Sequence, residues 1–527
     1  MARFNFIGSY YTLQSPIADC QKLTNWHEET IESGVGKGAK CLNPCPGLKL
    51  FATAGSGPVR GSIEINGRFF VVSGTGFYEI GSSGAVLNSA NPWGTVANDG
   101  NPASMAASTT QILIASGGIA YVFWLVTVGG NAAGTFTAVA NLAGLSISQV
   151  GYADGFFFAL QANSQTVYSS APLDASTWNL ANIATVSVFP SNLTGMLFDH
   201  REMWLWSQEK AVVYYDAGLT LFPYDLVPGA FLEDGLAAPF TPCRLDNSIF
   251  WWCQDERGWG ICKRANGYLG VRVSNHAIET LVQSFSTIAD AISWSYQDQG
   301  HTFYVTLFPT ANQTLVYDVA TQQWHVRSWL NPVSGIEEAH LGRNHCFVFN
   351  KHLVGSRKDG KIYQMSIPVA NGSAWSFADD AGNPIKRTRR APVVAVEGGW
   401  MFFSELEIDA EVGLGPEPPL TMAAPFPQQI VLASPNASLW NITVNDAGQF
   451  QTAAAAAGTA TTTLTLNDTA VASTSWQLQV NNAGQLQVVS VTYSALNQTS
   501  YPMATSGTQL YTQISIANKN LQAQTPT

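Results

Sequence analysis

The feature that most constrains this chain is a hairpin that keeps recurring. An apolar or aromatic run, a short turn and a second such run appear in "GRFFVVSGTGFYEIG" from Gly67, "QILIASGGIAYVFW" from Gln111, "GFFFALQANSQTVYSS" from Gly155 and "REMWLWSQEKAVVYYD" from Arg201. The pattern continues in "SIFWWCQDERGWGICKR" from Ser248, "HTFYVTLFPTANQTLVYD" from His301 and "NHCFVFNKHLVGSRKDGKIYQM" from Asn344. The starts lie roughly 43 to 53 residues apart, near the period of about 40 to 50 residues of four-stranded propeller blades. A single four-stranded sheet cannot bury both faces, whereas a ring of blades sandwiches each face between neighbours. An aromatic share of 11% supplies the Trp and Phe that fill such wedges.

The spacing therefore predicts an all-β chain: a β-propeller of about six or seven blades, with additional small β-domains. The propeller is expected over 48–395, preceded by an N-terminal arm or platform segment at 1–47. Helical periodicity is scarce, with short candidates only around 277–285 and 21–31. The stretch 112–130 is uncharged and about long enough to span a bilayer, yet its Gly117-Gly118 pair and β-branched content read as two strands and a turn. The N-terminus carries no apolar run of the signal-peptide kind, and no membrane partner is expected.

Beyond the last hairpin, "KRTRRAP" (386–392) is the strongest basic cluster and reads as a connector, a subunit contact or a phosphate site. A Pro- and Gly-dense stretch at 411–429 sits in an expected connecting platform segment, 396–433. The remaining residues, 434–527, contain an internal repeat. "SLWNITVNDAGQFQ" from Ser438 and "TSWQLQVNNAGQLQ" from Thr474 align with a shift of 36, matching Trp440 to Trp476 and Gly448 to Gly484. Each copy is an alternating strand closed by an Asn-rich turn, so a C-terminal β-domain is predicted here.

Chemistry is sparse. The seven cysteines lack regular spacing, and Cys41 and Cys45 in "CLNPCPG" have no second CxxC or HxxxH to complete a zinc knuckle. They read as free thiols. His301, Asp318 and His325 fall in a strand, turn, strand pattern, and the two histidines are assigned hydrogen-bonding structural roles at strand edges. A glycosidase would need paired carboxylates, but Asp154, Asp174, Asp199, Glu233, Asp234, Asp290 and Asp318 are scattered, mostly where turns favour Asp. "DASTW" (174–178) faintly resembles the aspartate box of sialidase-like propellers but lacks its glycine. No GxSxG elbow, P-loop or HExxH occurs. No catalytic, cofactor-binding or metal residue is assigned, and no cofactor is expected.

The formal charge of −11 disfavours tight binding of nucleic acid, because affinity for phosphates rests on Lys and Arg. A surface that DNA only passes tolerates acidity. The other conspicuous segment is "LFPYDLVPGAFLEDGLAAPFTP" (221–242), which reads either as an inter-blade connection or as a loop touching a neighbouring subunit. Its candidate contact residues are Phe222, Pro223, Pro228, Phe231, Glu233 and Asp234.

The ordered blocks "HREMWLWSQEKAVVYY" (200–215), "FPYDLVPGAFLEDGLAAP" (222–239), "NSIFWWCQDERGWGI" (247–261), "GYLGVRVSNHAIE" (267–279), "YQDQGHTFYVTLFPTANQTLVYDVATQQWH" (296–325) and "FFSELEIDAEVGLG" (402–415) resemble a known family. It is that of the packaged-DNA-stabilisation, or tail hub and nozzle, proteins of short-tailed bacteriophages, and the resemblance spans roughly 192–415. It implies a structural protein of the virion tail, made in the host cytoplasm and not an enzyme. The resemblance further implies a homo-hexameric ring beneath the adaptor, or head-to-tail connector, protein. Its lumen would continue the DNA channel, retain packaged DNA and gate ejection. Genomic DNA would pass without specific binding, and tail fibre, spike or needle proteins would be further partners. The alternative is a carbohydrate-binding or glycan-hydrolysing propeller, and a monomeric scaffold is a third class.

Overall fold

The computed structural model describes residues 6–33, 39–88, 91–371 and 374–392, and the backbone of six strands between 430 and 492. Among these residues the recurring hairpins become seven sheets, each built on four antiparallel strands, in sequential order in six of them. Blade 1 runs through Val59–Ile65, Arg68–Ser73, Gly76–Ile80 and Gly94–Thr95. Blades 2 to 6 occupy 104–138, 147–185, 193–232, 243–272 and 292–326. Blade 7 has only three strands of its own, within 342–366. Its fourth is Gly47–Thr53 from the other end of the propeller, which pairs with Lys361–Ser366 in the register Met365↔Leu48 to Lys361↔Thr53.

Alternation of side chains across a strand explains why the sheets form a ring. Phe69 and Val71 point into one wedge, with Val348, Leu353 and Ile362 of blade 7. Phe70 and Val72 point into the next, with Ile112, Ile114 and Phe123 of blade 2. The same division recurs in blade 5, where Trp251 and Cys253 face blade 4 while Phe250 and Trp252 face blade 6. Seven apolar clusters result, one for each pair of neighbouring blades, and the seventh joins blade 7 to blade 1. The count is thus seven blades.

The first two strands of six blades meet in two-residue turns with both φ values positive, the form that matches strand twist. Asn66-Gly67, Asp154-Gly155 and Gln299-Gly300 are ordinary choices. His200-Arg201, with φ of 47° and 63°, is not. The stretch 112–130 contains Gln111–Ser116 and Ile119–Trp124, antiparallel about Gly117-Gly118, as expected. No helix among the described residues is long and apolar enough to cross a membrane.

Of the two helical candidates, one forms. His276–Gln283 is an α-helix whose N-cap Asn275 accepts a hydrogen bond from the Ile278 amide, with Glu279 in the first turn and Ala277, Ile278 and Val282 buried. The other, 21–31, is instead two strands, Cys20–Thr24 and Trp26–Thr30, broken at Asn25 with φ of 57°. Tertiary pairing decides this. Thr24 bridges Val326 at the outer edge of blade 6, and Lys22 pairs with Arg390 of the returning strand Thr388–Arg390. Trp26–Thr30 forms a hairpin with Lys40–Pro44. On blade 7 the returning chain pairs Asp380 with Leu48. Gly47 permits this approach, because a Cβ there would stand 2.2 Å from the Phe377 carbonyl oxygen.

Residues 1–371 and 375–412 belong to one compact unit, and 372–374 with 413–527 to another. In the second, each copy of the internal repeat supplies the central strand of a three-stranded antiparallel sheet. Trp440 stands between Leu432 and Ala454, and Trp476 between Leu466 and Ser490. Gly448, Gly484 and 396–429 of the expected connecting segment lie outside the described residues.

Ring closure through Gly47–Thr53 gives a paired expectation. Leu48 is fully buried in the wedge between blades 6 and 7, whereas Leu50 on the same strand is 50% exposed. Leu48→Ala is expected to cost about 2–5 kcal/mol and Leu50→Ala about 0.5 kcal/mol or less. Urea unfolding of the two variants checks this, and equal losses would count against closure by this strand.

Candidate functional site

The histidine stretch is resolved by the hairpins of blade 6. His301 opens the strand His301–Phe308, and Asp318 ends Gln313–Asp318 opposite it. The His301 ring meets Asp318 Oδ2 at 2.7 Å through Nδ1 and Glu29 Oε2 at 2.6 Å through Nε2. Asp318 also accepts hydrogen bonds from the Ala320 amide and the Thr321 hydroxyl, which sets the turn of "DVATQQW". The Asp318 hydrogen bond, helped by Glu29, raises the His301 pKa to about 9 against the opposing effect of burial. His301 is therefore a protonated clamp between blade 6 and the N-terminal hairpin, with both nitrogens engaged.

His325 differs from its expected hydrogen-bonding role. It lies within the strand Gln323–Val326, its Nε2 meets no partner among the described residues, and burial holds it neutral, far below the usual range. It packs edge to face on Phe303. A third histidine that sequence reasoning did not single out, His27, sits 5.0 Å from the His301 ring and is pushed down to about 3 by burial and by the His301 charge.

Beside them Arg327 is 1% exposed, with its guanidinium 5.2 Å from the rings of Tyr296 and Phe303 and bonded to the Tyr296 hydroxyl. Asn25 ties three segments together. Its side chain donates to Ser328 Oγ at 3.0 Å and to the Lys386 carbonyl at 2.7 Å, and it accepts from the Ser328 amide. Burial raises the Asp380 carboxyl to about 7 despite nearby Arg387.

The basic cluster is absorbed into the same region. Lys386 pairs with Glu337 at 3.2 Å, Arg387 stacks over Trp26, and Arg389 donates to the Phe6 carbonyl and to Gln21. Cys41 and Cys45 are free thiols, and no cluster of metal-ligating residues occurs among the described residues.

Each candidate carboxylate is engaged with its own local partner. Arg201 bridges Asp154 and Asp216 at 2.8 and 2.7 Å, while His200 bridges Asp199 and Asn247. This explains the unusual turn, whose two side chains link blade 4 to blades 3 and 5. Asp174 accepts from Ser176 and Gln111, and Trp178 donates to the Ala175 carbonyl, so "DASTW" is a structural corner. Glu233 lies 3.8 Å from Arg257, Asp234 pairs with Lys263, and Asp290 accepts from the Thr310 amide.

The segment 221–242 is neither a free loop nor one element. Tyr224–Leu232 is the outer strand of blade 4, and the residues after it form the inter-blade connection. Leu236 donates to the Ser207 carbonyl of blade 4 and Ala237 to the Trp252 carbonyl of blade 5. Phe222 and Pro223 are buried, with Phe222 edge-on to Phe158. Pro228, Phe231 and Glu233 are exposed, and Asp234 is half-buried on its lysine. What the sequence did not reveal is the neighbouring groove of 510 Å³ between the outer edges of blades 3 and 4, lined by Ile183, Tyr214, Leu219, Leu221 and Tyr224.

The clamp carries a pH signature. A raised histidine pKa contributes stability that is fully present below 6.5 and lost as pH rises through about 9. His301→Gln is expected to flatten that decline in unfolding free energy, measured by urea denaturation across the alkaline range. Equal slopes in variant and wild type would remove the clamp role.

The geometry can be set beside known proteins. Among curated proteins no sequence matches. Solved structures of similar arrangement include the extracellular domain of a one-component system from B. thetaiotaomicron, at 10% identity and TM-score 0.38, covering 84% of this chain. The chain spans 58% of the length of that domain. YCF48 bound to D1 peptide (11% identity, TM-score 0.34, 66% of this chain and 97% of that one) and the AfRom2 CNH domain (8% identity, TM-score 0.34, 62% and 100%) are also similar. Scores this low establish neither fold nor function. A family model described as bacteriophage P22 Gp10, β-propeller, matches residues 21–370, a span that contains all seven blades and the strand that closes them. The chain belongs to this family of phage-stabilisation proteins.

Proposed function

We propose that this chain is a structural tail protein that forms a ring of six copies below the portal adaptor, continues the DNA channel, retains packaged DNA and gates its release. The observation that carries the reading is the family match across 21–370, which takes in the whole propeller and its N-terminal closure. Two physical features support it. The carboxylates singled out in the sequence are each held by a neighbour, Asp154 by Arg201, Asp234 by Lys263, Asp318 by His301 and Asp174 by the Ser176 amide, which suits a mechanical part. The net charge of −11 lets DNA slide past without capture, since few Lys and Arg are left to release counterions.

In this reading the propeller is the wall and the repeat at 434–527 faces fibre, spike or needle proteins. The test is genetic and biochemical. Particles produced without this chain are expected to package DNA and then lose it, read as DNase-sensitive genomes and empty heads by electron microscopy. Particles that keep protected DNA without the chain would overturn the retention role.

A further inference from the structure

The propeller carries an apolar knob and an apolar groove on nearly opposite sides. The knob is the tip of a small hairpin between blades 6 and 7, where Ser328–Leu330 pairs with Glu337–Ala339. Its loop exposes Val333 by 94% and Ile336 by 62%, and Val333 is the most exposed large apolar side chain of the described residues. The tip is built to stay in shape. Asn331 Oδ1 accepts from the Val333 amide at 2.9 Å, the Gly335 amide donates to the Asn331 carbonyl at 2.8 Å, and the Asn331 amide donates to the Ile336 carbonyl at 3.0 Å. Asn331 Nδ2 donates to Glu338, which is held in turn by Arg357 and Lys358. A loop already ordered loses little entropy on docking.

The groove lies between the outer strands of blades 3 and 4. Ile183 is 39% exposed there, Leu219 51% and Leu221 63%. With Leu180, Val188 and Phe231, exposed elsewhere along the same two blades and the loop between them, these side chains leave on the order of 500 Å² of apolar surface open. A standard interface buries about 800 Å² per partner, rather more than half of it apolar, so these edges supply the apolar share that such an interface needs. The outer strand Asp174–Thr185 also has no Lys, Arg or Pro to protect its open edge. The outer edges of blades 6 and 7, by contrast, are covered by strands of the same chain.

We infer that the knob at Val333 of one copy seats in the groove at Ile183, Leu219 and Leu221 of the next. The two surfaces are three blades apart in a ring of seven, so a chain cannot fill its own groove. Two different surfaces that bind each other make a head-to-tail contact, and each added copy leaves one knob and one groove free until a ring closes. The inference rests on the ring reading proposed above and assigns its contact residues.

Sedimentation velocity and disulfide mapping of the purified full-length chain test it. Val333→Asp touches nothing within its own fold and is expected to weaken self-association at least tenfold while leaving the circular dichroism spectrum unchanged. The pair Val333→Cys and Leu221→Cys is expected to form intermolecular 333–221 disulfides on oxidation. Val333→Cys paired with Leu50→Cys is not. Self-association without these effects, or position 221 linking to a different surface, would overturn the contact while leaving the ring reading intact. A chain that stays monomeric and uncrosslinked would also overturn it, and the ring reading would then depend on the DNA-retention experiment alone.

Discussion

Every blade depends on its neighbours because its strands are apolar on both faces. Phe69 and Phe70 are adjacent in sequence, yet they belong to different wedges of the ring. A four-stranded sheet with one such face uncovered would expose several large side chains, each contributing about 1.5–3 kcal/mol when buried. Stability is therefore gained only when the ring is complete. The critical step is the return of Gly47–Thr53 to blade 7, which joins chain positions more than 300 residues apart (Leu48 and Met365) in one sheet. Contacts of such long separation close slowly, and the largely local hairpins of each blade supply the structure that waits for them.

The polar node around His27, His301, Arg327 and Asp380 lies where this closure happens. Buried charges such as those of His301 and Arg327 are expensive, and replacing such groups with apolar ones often stabilises a fold. Here they sit where three separate segments must meet in one register: the N-terminal hairpin, blade 6 and the returning strand near residue 388. An apolar contact would tolerate sliding by a residue or two. A histidine with both nitrogens held by carboxylates, and an asparagine with hydrogen bonds to Ser328 and Lys386, would not. Register specificity is the hypothesis that fits this placement.

Blades were legible from the sequence because each hairpin carries its own apolar runs and turn residues, and these are local signals. The helix at His276–Gln283 was legible for the same reason, through its periodicity. Cys20–Thr24 and Trp26–Thr30 were not, because pairing with Val326 and Arg390, more than 300 residues away, chooses strand over helix there. Of the histidine stretch, the strand and turn pattern was readable but the third partner, Glu29, was not, since nothing local links residue 29 to residue 301. The quoted resemblance began near residue 192, whereas the family match starts at 21, so the first three blades carry family character that their individual motifs do not display.

The segment 221–242 shows a further limit. Its prolines and length read either as an inter-blade connection or as a protruding loop, but Tyr224–Leu232 is a strand with a bulge, which lets Tyr224, Ala230 and Leu232 face inward while Phe231 and Pro228 stay outside. Apolar residues at a blade edge follow the same alternation as those in a wedge, so periodicity cannot tell a buried strand face from one that waits for a partner. Only the ring geometry makes the distinction. It places Leu219, Leu221 and Ile183 beyond the last wedge of blades 3 and 4, where no further blade can cover them, and so turns an ordinary strand pattern into an argument for assembly.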